Sequence, residues 1–299
     1  MCNKKYYVEP ITSKDWTFKM LMMEFLGTFA LCYVGGLAVM MSNLGKLDLT
    51  GVAFAHWFVL SFMIWAGAGI SGANYNAAVT LALMSTRHLH WVKGLLYLNA
   101  QFLGSLLAGM VLGGFLKMYS RDPLVFKDLL GYPHANIDRF GYGTCFIVEV
   151  VATFFLVFMV YSTAVVDRPE PKDPKAALMK KDTHVYSLTI GGALGMAILS
   201  IGPITGAALN PWRVIGPAMA SMELYSNHYL YAWIYYLGCP IGGLLCALLW
   251  KFCFMRKTKE EMDQDKAEAE EAAEGGENPA DDEEVKSLKN NAVNVDGGN

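Results

Sequence analysis

The chain has 299 residues, of which 54% are apolar, 13% are aromatic and only 17% are charged. Soluble proteins carry about 25% charged residues, so this composition excludes an ordinary soluble domain and favours a membrane protein. The charge is also uneven, because residues 256–299 hold 6 Lys and Arg against 14 Asp and Glu, whereas the body before them is basic. We therefore expect a membrane domain followed by a solvated acidic tail.

Six apolar segments are long enough to cross a bilayer, which takes roughly 20 residues of helix. In chain order, the predicted spans are Phe18–Met41, Leu49–Gly67, Trp91–Leu116, Gly143–Val166, Thr183–Gly202 and Tyr229–Phe254. Two further apolar segments, Asn76–Met84 and Asn210–Ala220, are too short to cross. We accordingly divide the chain into an N-terminal arm (1–17), a membrane domain (18–254) and a tail (255–299) that we expect to be disordered.

The basic residues predict which way the chain is oriented. An even number of spans places both termini on one side of the membrane. The segments on that side hold 16 Lys and Arg, whereas the opposite connections hold five, with Arg213 in the second short segment in addition. The positive-inside rule therefore predicts cytoplasmic termini. The connection Asp167–Asp182 is basic and Pro-rich and would lie on the same side, either as a gate or as a linker.

The two halves of the membrane domain, about 18–116 and 143–254, repeat one pattern in which Glu24 of the first span recurs as Glu149 of the fourth. Each half has three spans, so the halves have opposite orientations and form an inverted repeat. A Glu in hydrocarbon costs several kcal/mol unless it faces protein or water. We interpret both Glu residues as acceptors that support non-helical backbone. A Glu that reaches out to the cytoplasmic surface, or a proton relay, is the alternative.

Each half also places an Asn at the start of its short segment, in Asn76-Ala77-Ala78 and in Asn210-Pro211-Trp212-Arg213. Such an Asn caps a helix whose first N–H groups point outward with a positive dipole. Two short helices that enter from opposite sides would therefore meet at the midplane with their N-termini facing. The Asn side chains would either cap these half-helices only, or also line a pore.

These motifs together resemble one known family over about residues 18–254. The matching residues, in order, are Glu24, Thr28, Ser71-Gly72-Ala73, Asn76, Ala78-Val79-Thr80, Gly104, Glu149, Thr153, Thr205-Gly206, Asn210-Pro211, Arg213 and Gly216-Pro217. This pattern is similar to that of the aquaporin (major intrinsic protein) family. The resemblance implies an all-α membrane protein with six tilted transmembrane helices and two re-entrant half-helices in an inverted repeat. It also implies a homotetramer with one pore per subunit, in which Asn76 and Asn210 donate to the passing molecule.

The resemblance further implies a selectivity filter of four residues. By their offsets from the two Asn residues, these are His56, Ile198, Ala207 and Arg213. The set is similar to the filters of plant tonoplast-type aquaporins, some of which extend the filter with a loop His at the offset of His134. A core His bonded between helices is the alternative for His56, and a surface His is the alternative for His134.

Two residues depart from the family pattern. Ala77 stands where the family has a Pro, and Trp212 stands where it has a small residue. Ala is a good helix former, so the first half-helix should form but be less rigidly placed. Trp212 either packs among small residues of neighbouring helices or intrudes on the pore.

We expect a passive channel for water and small neutral solutes such as ammonia, urea or hydrogen peroxide, which excludes ions and protons. The alternative is a junctional or scaffolding membrane protein of the same fold with low conductance. An enzyme, a metal site and a cofactor are not expected, because the spans hold too few ionisable residues. The expected partners are lipid and a cytosolic protein at the acidic tail, not nucleic acid. The membrane would be the plasma membrane or an intracellular, vacuole-type membrane.

Overall fold

The computed structural model describes residues 17–119, 131–165, 183–220 and 231–254. The predicted N-terminal arm (its residues 1–16), the connection Asp167–Asp182 and the tail 255–299 lie outside these ranges. Within them, all regular secondary structure is helical, which confirms the predicted all-α class. The chain divides after Lys251 into two compact units, and only residues 252–254 of the second are described. The fold below is that of the first unit.

Eight α-helices follow one another along the described residues. They are α1 Phe18–Asn43, α2 Leu49–Gly67, α3 Ala77–Ser85, α4 Trp91–Tyr119, α5 Ile137–Val160, α6 Thr183–Thr205, α7 Pro211–Ala220 and α8 Trp233–Leu249. A π-helical turn follows α5 at Tyr161–Val165, and another follows α8 at Trp250–Phe254. Six of these helical segments are long and apolar enough to cross a membrane, as predicted, and α3 and α7 are too short.

The observed helix ends differ from the predicted ones where polar residues extend an apolar segment. Helix α5 begins at Ile137 and not at Gly143, because Asn136 caps it by accepting a hydrogen bond from the main-chain nitrogen of Arg139 at 3.3 Å. A kink at Gly141, with φ of 72°, then joins this polar first turn to the apolar part. Helix α6 continues past Gly202 to Thr205, with Pro203 in its last turn.

The inverted repeat is visible in the packing of equivalent helices. Helix α1 packs on α4 in the first half, and α5 packs on α8 in the second. Both contacts depend on a glycine: a Cβ on Gly104 would overlap the carbonyl oxygen of Phe25, and one on Gly242 would overlap that of Val150. The half-helices are exchanged between the halves, because α3 packs against α8 and α7 packs against α4. This exchange brings the starts of α3 and α7 together.

The distribution of polar residues is that of a protein surrounded by lipid. The side chains of Glu24, Gln101 and Glu149 are fully buried, whereas Phe62 is 61% exposed. Along α2, the exposed aromatic residues are Phe54, Phe58, Phe62 and Trp65. Since polar groups in a bilayer must be satisfied inside the protein, an apolar exterior around a polar interior fits a membrane domain.

Candidate pore and selectivity site

The two half-helices begin at Asn76 and Asn210, which lie against each other at the centre of the membrane domain. Oδ1 of Asn76 accepts from the main-chain nitrogen of Ala78 at 2.8 Å, and Oδ1 of Asn210 accepts from that of Trp212 at 3.1 Å. Each Asn therefore caps its own half-helix. Each also reaches across to the other half, because Nδ2 of Asn76 donates to the carbonyl oxygen of Leu209 at 2.9 Å.

The reciprocal bond runs from Nδ2 of Asn210 to the carbonyl oxygen of Tyr75, also at 2.9 Å. Each Asn side chain is thus held at its oxygen and at its nitrogen, so its orientation is fixed. A carboxamide nitrogen carries two hydrogens, and the cross-bond uses one of them. The second hydrogen of each is left as a donor for another group. The two half-helix N-termini add their positive dipole ends at the same place.

A buried carboxylate supports the loop before each half-helix. Glu24 of α1 accepts four hydrogen bonds: from Ser71 Oγ at 2.6 Å, from the main-chain nitrogens of Asn74 and Tyr75 at 3.0 and 2.9 Å, and from Gln101 Nε2 at 2.7 Å. Because the carboxylate lies at the same depth as the loop, it satisfies backbone groups that would otherwise be orphaned in an apolar interior.

Glu149 of α5 does the same in the second half. It accepts from Thr205 Oγ1 at 2.6 Å, from the main-chain nitrogens of Ala208 and Leu209 at 2.9 and 3.0 Å, and from Cys239 Sγ at 3.6 Å. The four donors correspond one to one with those around Glu24. The inverted repeat therefore relates the two loops both in the path of the backbone and in the hydrogen bonds that support it.

Both loops hold residues in the left-handed backbone region, which is strained for a side chain other than glycine. In the first loop these are Ala73 and Tyr75, with φ of 56° and 49°. In the second they are Ala207 and Leu209, with φ of 50° and 51°. The bonds to the two buried carboxylates offset this strain. In each loop, left-handed residues alternate with a residue of ordinary backbone conformation, so successive peptide groups point in opposite directions. The carbonyl oxygens of Tyr75 and Leu209 can thereby accept the cross-bonds from the Asn side chains.

A cavity runs alongside the facing Asn residues. Its lining is mainly apolar, with a few polar side chains between the apolar ones. The lining residues are Leu31, Leu60, Ile64, Ala73, Asn74, Asn76, Val79, Leu156, Val160, Ala164, Tyr186, Ile190, Leu194, Ala208, Leu209, Asn210 and Arg213. Both Asn residues of the half-helices thus line it. An apolar passage with a few fixed donors is the kind of lining that selects small neutral molecules.

Arg213 is held by hydrogen bonds on α7, where it lines the cavity and is only 4% exposed. Its Nη1 donates to the carbonyl oxygens of Ala207 and Ala208 at 2.7 and 3.0 Å. Its Nη2 lies 2.6 Å from Nε2 of His56. Nδ1 of His56 lies 2.8 Å from the carbonyl oxygen of Val52. These partners assign the proton to Nδ1 and make Nε2 the acceptor, since the guanidinium can only donate.

Arg213 therefore contacts two of the other three predicted filter residues: it bonds to the imidazole of His56 and to the carbonyl oxygen of Ala207. Ile198 is buried on α6 in the same hydrophobic cluster as Ala207. Of the four, Arg213 alone lines the cavity described above. The contact between Arg213 and His56 therefore joins a residue that lines the cavity to one that does not. His56 packs directly on Gly35, where any Cβ would overlap the imidazole ring.

His134 lies elsewhere. Its side chain is exposed, and it lines a second, smaller cavity together with Tyr132, Val214 and Tyr235. Partial desolvation lowers the pKa of His134, although a backbone hydrogen bond at Tyr132 opposes that shift. The main chain at Pro133 and His134 packs on Gly206, whose φ of 76° and lack of a side chain admit this contact.

The two departures from the family pattern have distinct surroundings. Ala77 has a main-chain N–H where a proline would have none, and it donates to Oδ1 of Asn210 at 3.3 Å. Trp212 does not line the cavity; its ring packs on Phe102 of α4, with centroids 5.3 Å apart. Among the described residues, the buried indole Nε1 of Trp212 has no hydrogen-bond partner. Trp212 thus packs against protein and away from the passage.

The hydrogen-bond partners of the two buried Glu residues were not predicted from the sequence. Ser71 and Thr205 each lie five residues before their Asn and bond to the two buried Glu residues, so their equal spacing was an available signal. Gln101 donates the fourth hydrogen bond to Glu24, and Cys239 donates the fourth to Glu149. No sequence signal pairs a glutamine with a cysteine. Asn74, which lines the cavity, also had no distinguishing motif.

Comparisons with known proteins agree on the family. The family model described as major intrinsic protein matches residues 11–250. "Probable aquaporin TIP-type" of Medicago truncatula is 32% identical over 254 residues, which cover 82% of this chain and 91% of the relative. "Aquaporin PIP2-7" of Arabidopsis thaliana is 32% identical over 245 residues, covering 78% and 80%. The crystal structure of the aquaglyceroporin from Plasmodium falciparum has the same fold, with a TM-score of 0.67, 20% identity, and coverage of 79% of this chain and 96% of that one.

Proposed function

Because the chain belongs to the major intrinsic protein family of membrane channels, we propose that it conducts water and small neutral solutes past Asn76 and Asn210. The observation that carries this proposal is the reciprocal pair of cross-bonds at 2.9 Å, which orients both carboxamides beside one cavity. Each amide nitrogen keeps one N–H for a passing molecule. A solute that accepts a hydrogen bond can therefore replace a lost water contact there at little cost.

The same geometry supports exclusion of ions and protons. Both half-helix N-termini lie beside the cavity, and Arg213 adds a full positive charge to its lining. A cation would meet positive potential at both points. A water molecule that accepts from Asn76 and Asn210 has its oxygen turned toward them, so it cannot pass a proton along a continuous chain of donors in one direction.

The filter supports selection for small solutes. The contact with His56 holds the Arg213 side chain in the cavity wall, whereas Ala207 contributes only a methyl group. We infer that water, ammonia, urea and hydrogen peroxide are the solute class, and that larger polyols pass poorly. His134 lies outside this contact and could join it only by moving from its observed position.

The exposed surface of the helices, the relatives and the tail composition support proposals on assembly, membrane and partners. The exposed apolar side chains of the six long helices suit lipid and contact between subunits, and we propose a homotetramer with both termini cytoplasmic. The names of the tonoplast-type and plasma-membrane-type relatives favour a vacuolar or a plasma membrane. A cytosolic partner for the acidic tail 255–299 is proposed from its charge alone.

Stopped-flow light scattering of proteoliposomes tests the conducting function. Vesicles that contain the protein should shrink faster than empty vesicles under an osmotic gradient, and a pH-sensitive dye inside them should report no added proton flux. The protein is first shown to be folded and tetrameric in detergent. A shrinkage rate equal to that of empty vesicles would reject the proposal.

A junctional or scaffolding role is the second candidate. The direct contact of Arg213 with His56 favours it, since two of the predicted filter residues are bonded to each other. If this role holds, the native protein is silent and His56→Ala opens it, whereas adhesion between vesicles that carry the protein is measurable. High water flux through the native protein excludes a low-conductance scaffold.

A further inference from the structure

The two half-helices differ in the residue that follows the capping Asn. Ala77 begins α3 and Pro211 begins α7, so these two residues are equivalent by the inverted repeat. The main-chain nitrogen of Ala77 donates to Oδ1 of Asn210 at 3.3 Å. Pro211 has no N–H, so it cannot donate the corresponding bond to Asn76. One cross-bond between the halves therefore has no counterpart, in addition to the reciprocal pair that the Asn side chains make.

This extra bond makes the two Asn side chains unequal. Oδ1 of Asn210 accepts from the main-chain nitrogen of Trp212 at 3.1 Å and also from that of Ala77. Nδ2 of Asn210 donates across to Tyr75, as described above. In the part of the chain that the structure describes, the Asn76 carboxamide makes one bond through its oxygen and one through its nitrogen. Asn210 is thus held by three hydrogen bonds and Asn76 by two.

The buried position of Ala77 makes its N–H depend on the Asn210 oxygen. The first N–H groups of a helix have no partner within that helix, and Ala77 is only 3% exposed. A buried N–H that loses its acceptor costs free energy. If the Asn210 carboxamide turned over, its NH₂ group would face the N–H groups of Ala77 and Trp212, and both would lose their acceptor. The same rotation of Asn76 would leave only the N–H of Ala78 without its acceptor.

We infer that Ala77 is a positioning residue for Asn210, because its main-chain N–H holds the Asn210 oxygen and so keeps Nδ2 as the group that donates to a solute. An amide whose oxygen accepts a second hydrogen bond is also more polarised, so its N–H is a stronger donor. Asn210 is then the firmer and the stronger of the two donors. Its contact with a solute rests on the proposed function, whereas the hold of Ala77 on it does not.

Ala77→Pro removes this N–H and leaves the course of the backbone intact. Asn76, which precedes it, is already extended, with φ of −146° and ψ of 124°, and a following proline favours this conformation. Proline is also well tolerated as the first residue of a helix. Ala77→Gly is the matched control, because it changes the side chain but keeps the N–H.

The NMR signal of the side-chain carbonyl carbon Cγ of Asn210, in protein reconstituted into lipid, reports the bond. Asn210 is 133 positions from Ala77 in the chain, so its signal responds to a substitution at Ala77 only through their contact. A carbonyl carbon moves upfield when its oxygen loses a hydrogen-bond donor. We expect an upfield shift of this signal in Ala77→Pro and an unshifted signal in Ala77→Gly. The inference is overturned if the Asn210 signal stays in place in Ala77→Pro, or if Ala77→Gly moves it as far.

Pro211→Ala covers the case in which Ala77→Pro does not fold. By the inverted repeat, it supplies the missing N–H to Oδ1 of Asn76, so the Cγ signal of Asn76 should move downfield. An unmoved Asn76 signal would overturn the inference as well. None of these spectra requires conduction. Native vesicles that shrink no faster than empty ones would reject the channel function, and the spectra would still decide whether Ala77 positions Asn210.

Discussion

Nη2 of Arg213 lies 2.6 Å from Nε2 of His56, so these two side chains, 157 positions apart in the chain, contact each other directly beside the cavity that Arg213 lines. His56 is the acceptor in this pair and Arg213 is the donor. The imidazole rests on Gly35, and two carbonyl oxygens of the loop before Asn210 hold the guanidinium. Both members of the pair are therefore held in place by their neighbours.

Replacing His56 by Ala should open space beside Arg213, which lines the cavity. We expect urea permeability to rise about tenfold, since pocket walls discriminate between solutes of different size by roughly this factor. Water permeability should remain at least native. His56→Gln, which keeps a long polar side chain, is the control and should change urea flux little. Equal urea fluxes in the native and alanine proteins would show that His56 does not limit the passage.

Removing the negative charge of either buried carboxylate should destabilise the protein. In Glu24→Gln or Glu149→Gln, one acceptor oxygen becomes an N–H₂ group that faces main-chain N–H donors. We expect a loss of about 3 kcal/mol in each, because hydrogen bonds to charged groups are the strong ones. Thermal unfolding in detergent measures it. Asp48→Asn is the control, because this exposed residue accepts one bond at the start of α2, a role that Asn also fills. A Glu24→Gln protein as stable as the control would contradict the proposed support.

Helix packing at Gly104 gives a prediction independent of the pore. Gly104→Ala places a methyl group against the Phe25 carbonyl on α1, which cannot move without displacing that helix. We expect a loss of about 2 kcal/mol, typical of an overpacked core. Gly113→Ala on the same helix α4 has open space around its Cβ and should stabilise by up to about 1 kcal/mol. The two alanine variants should therefore shift the unfolding temperature in opposite directions. Similar shifts would indicate that α1 and α4 are not tightly packed.

Trp212 yields a prediction that separates packing from conduction. Trp212→Phe keeps a ring against Phe102 but removes the unpartnered N–H, so stability should stay the same or rise slightly. Trp212→Ala leaves a cavity beside α4 and should cost about 3 kcal/mol. Neither change should raise water flux, because Trp212 does not line the passage. A large gain of flux in Trp212→Ala would mean that the indole narrows the pore after all.

The fold was predictable because its determinants are local or periodic. Six apolar segments, two Asn helix starts and the recurrence of Glu24 as Glu149 predict the architecture without any contact being known. The contact of His56 with Arg213 was only implied, since offsets from a motif give positions and not distances. The partners of the buried carboxylates were missed, because Gln101 and Cys239 are chemically unlike although they occupy equivalent places. The consequence of Ala77 was also missed, because only the cross-bond shows that its N–H has a use.

The temperature dependence of osmotic water permeability in proteoliposomes separates permeation through the protein from permeation through the lipid. If water passes Asn76 and Asn210 as proposed, their donors replace hydrogen bonds that water loses, so the barrier to permeation should be low. We predict an activation energy well below that of protein-free vesicles of the same lipid. An activation energy equal to that of the bare lipid, with the tetramer shown to be intact, would mean that water does not cross through the protein.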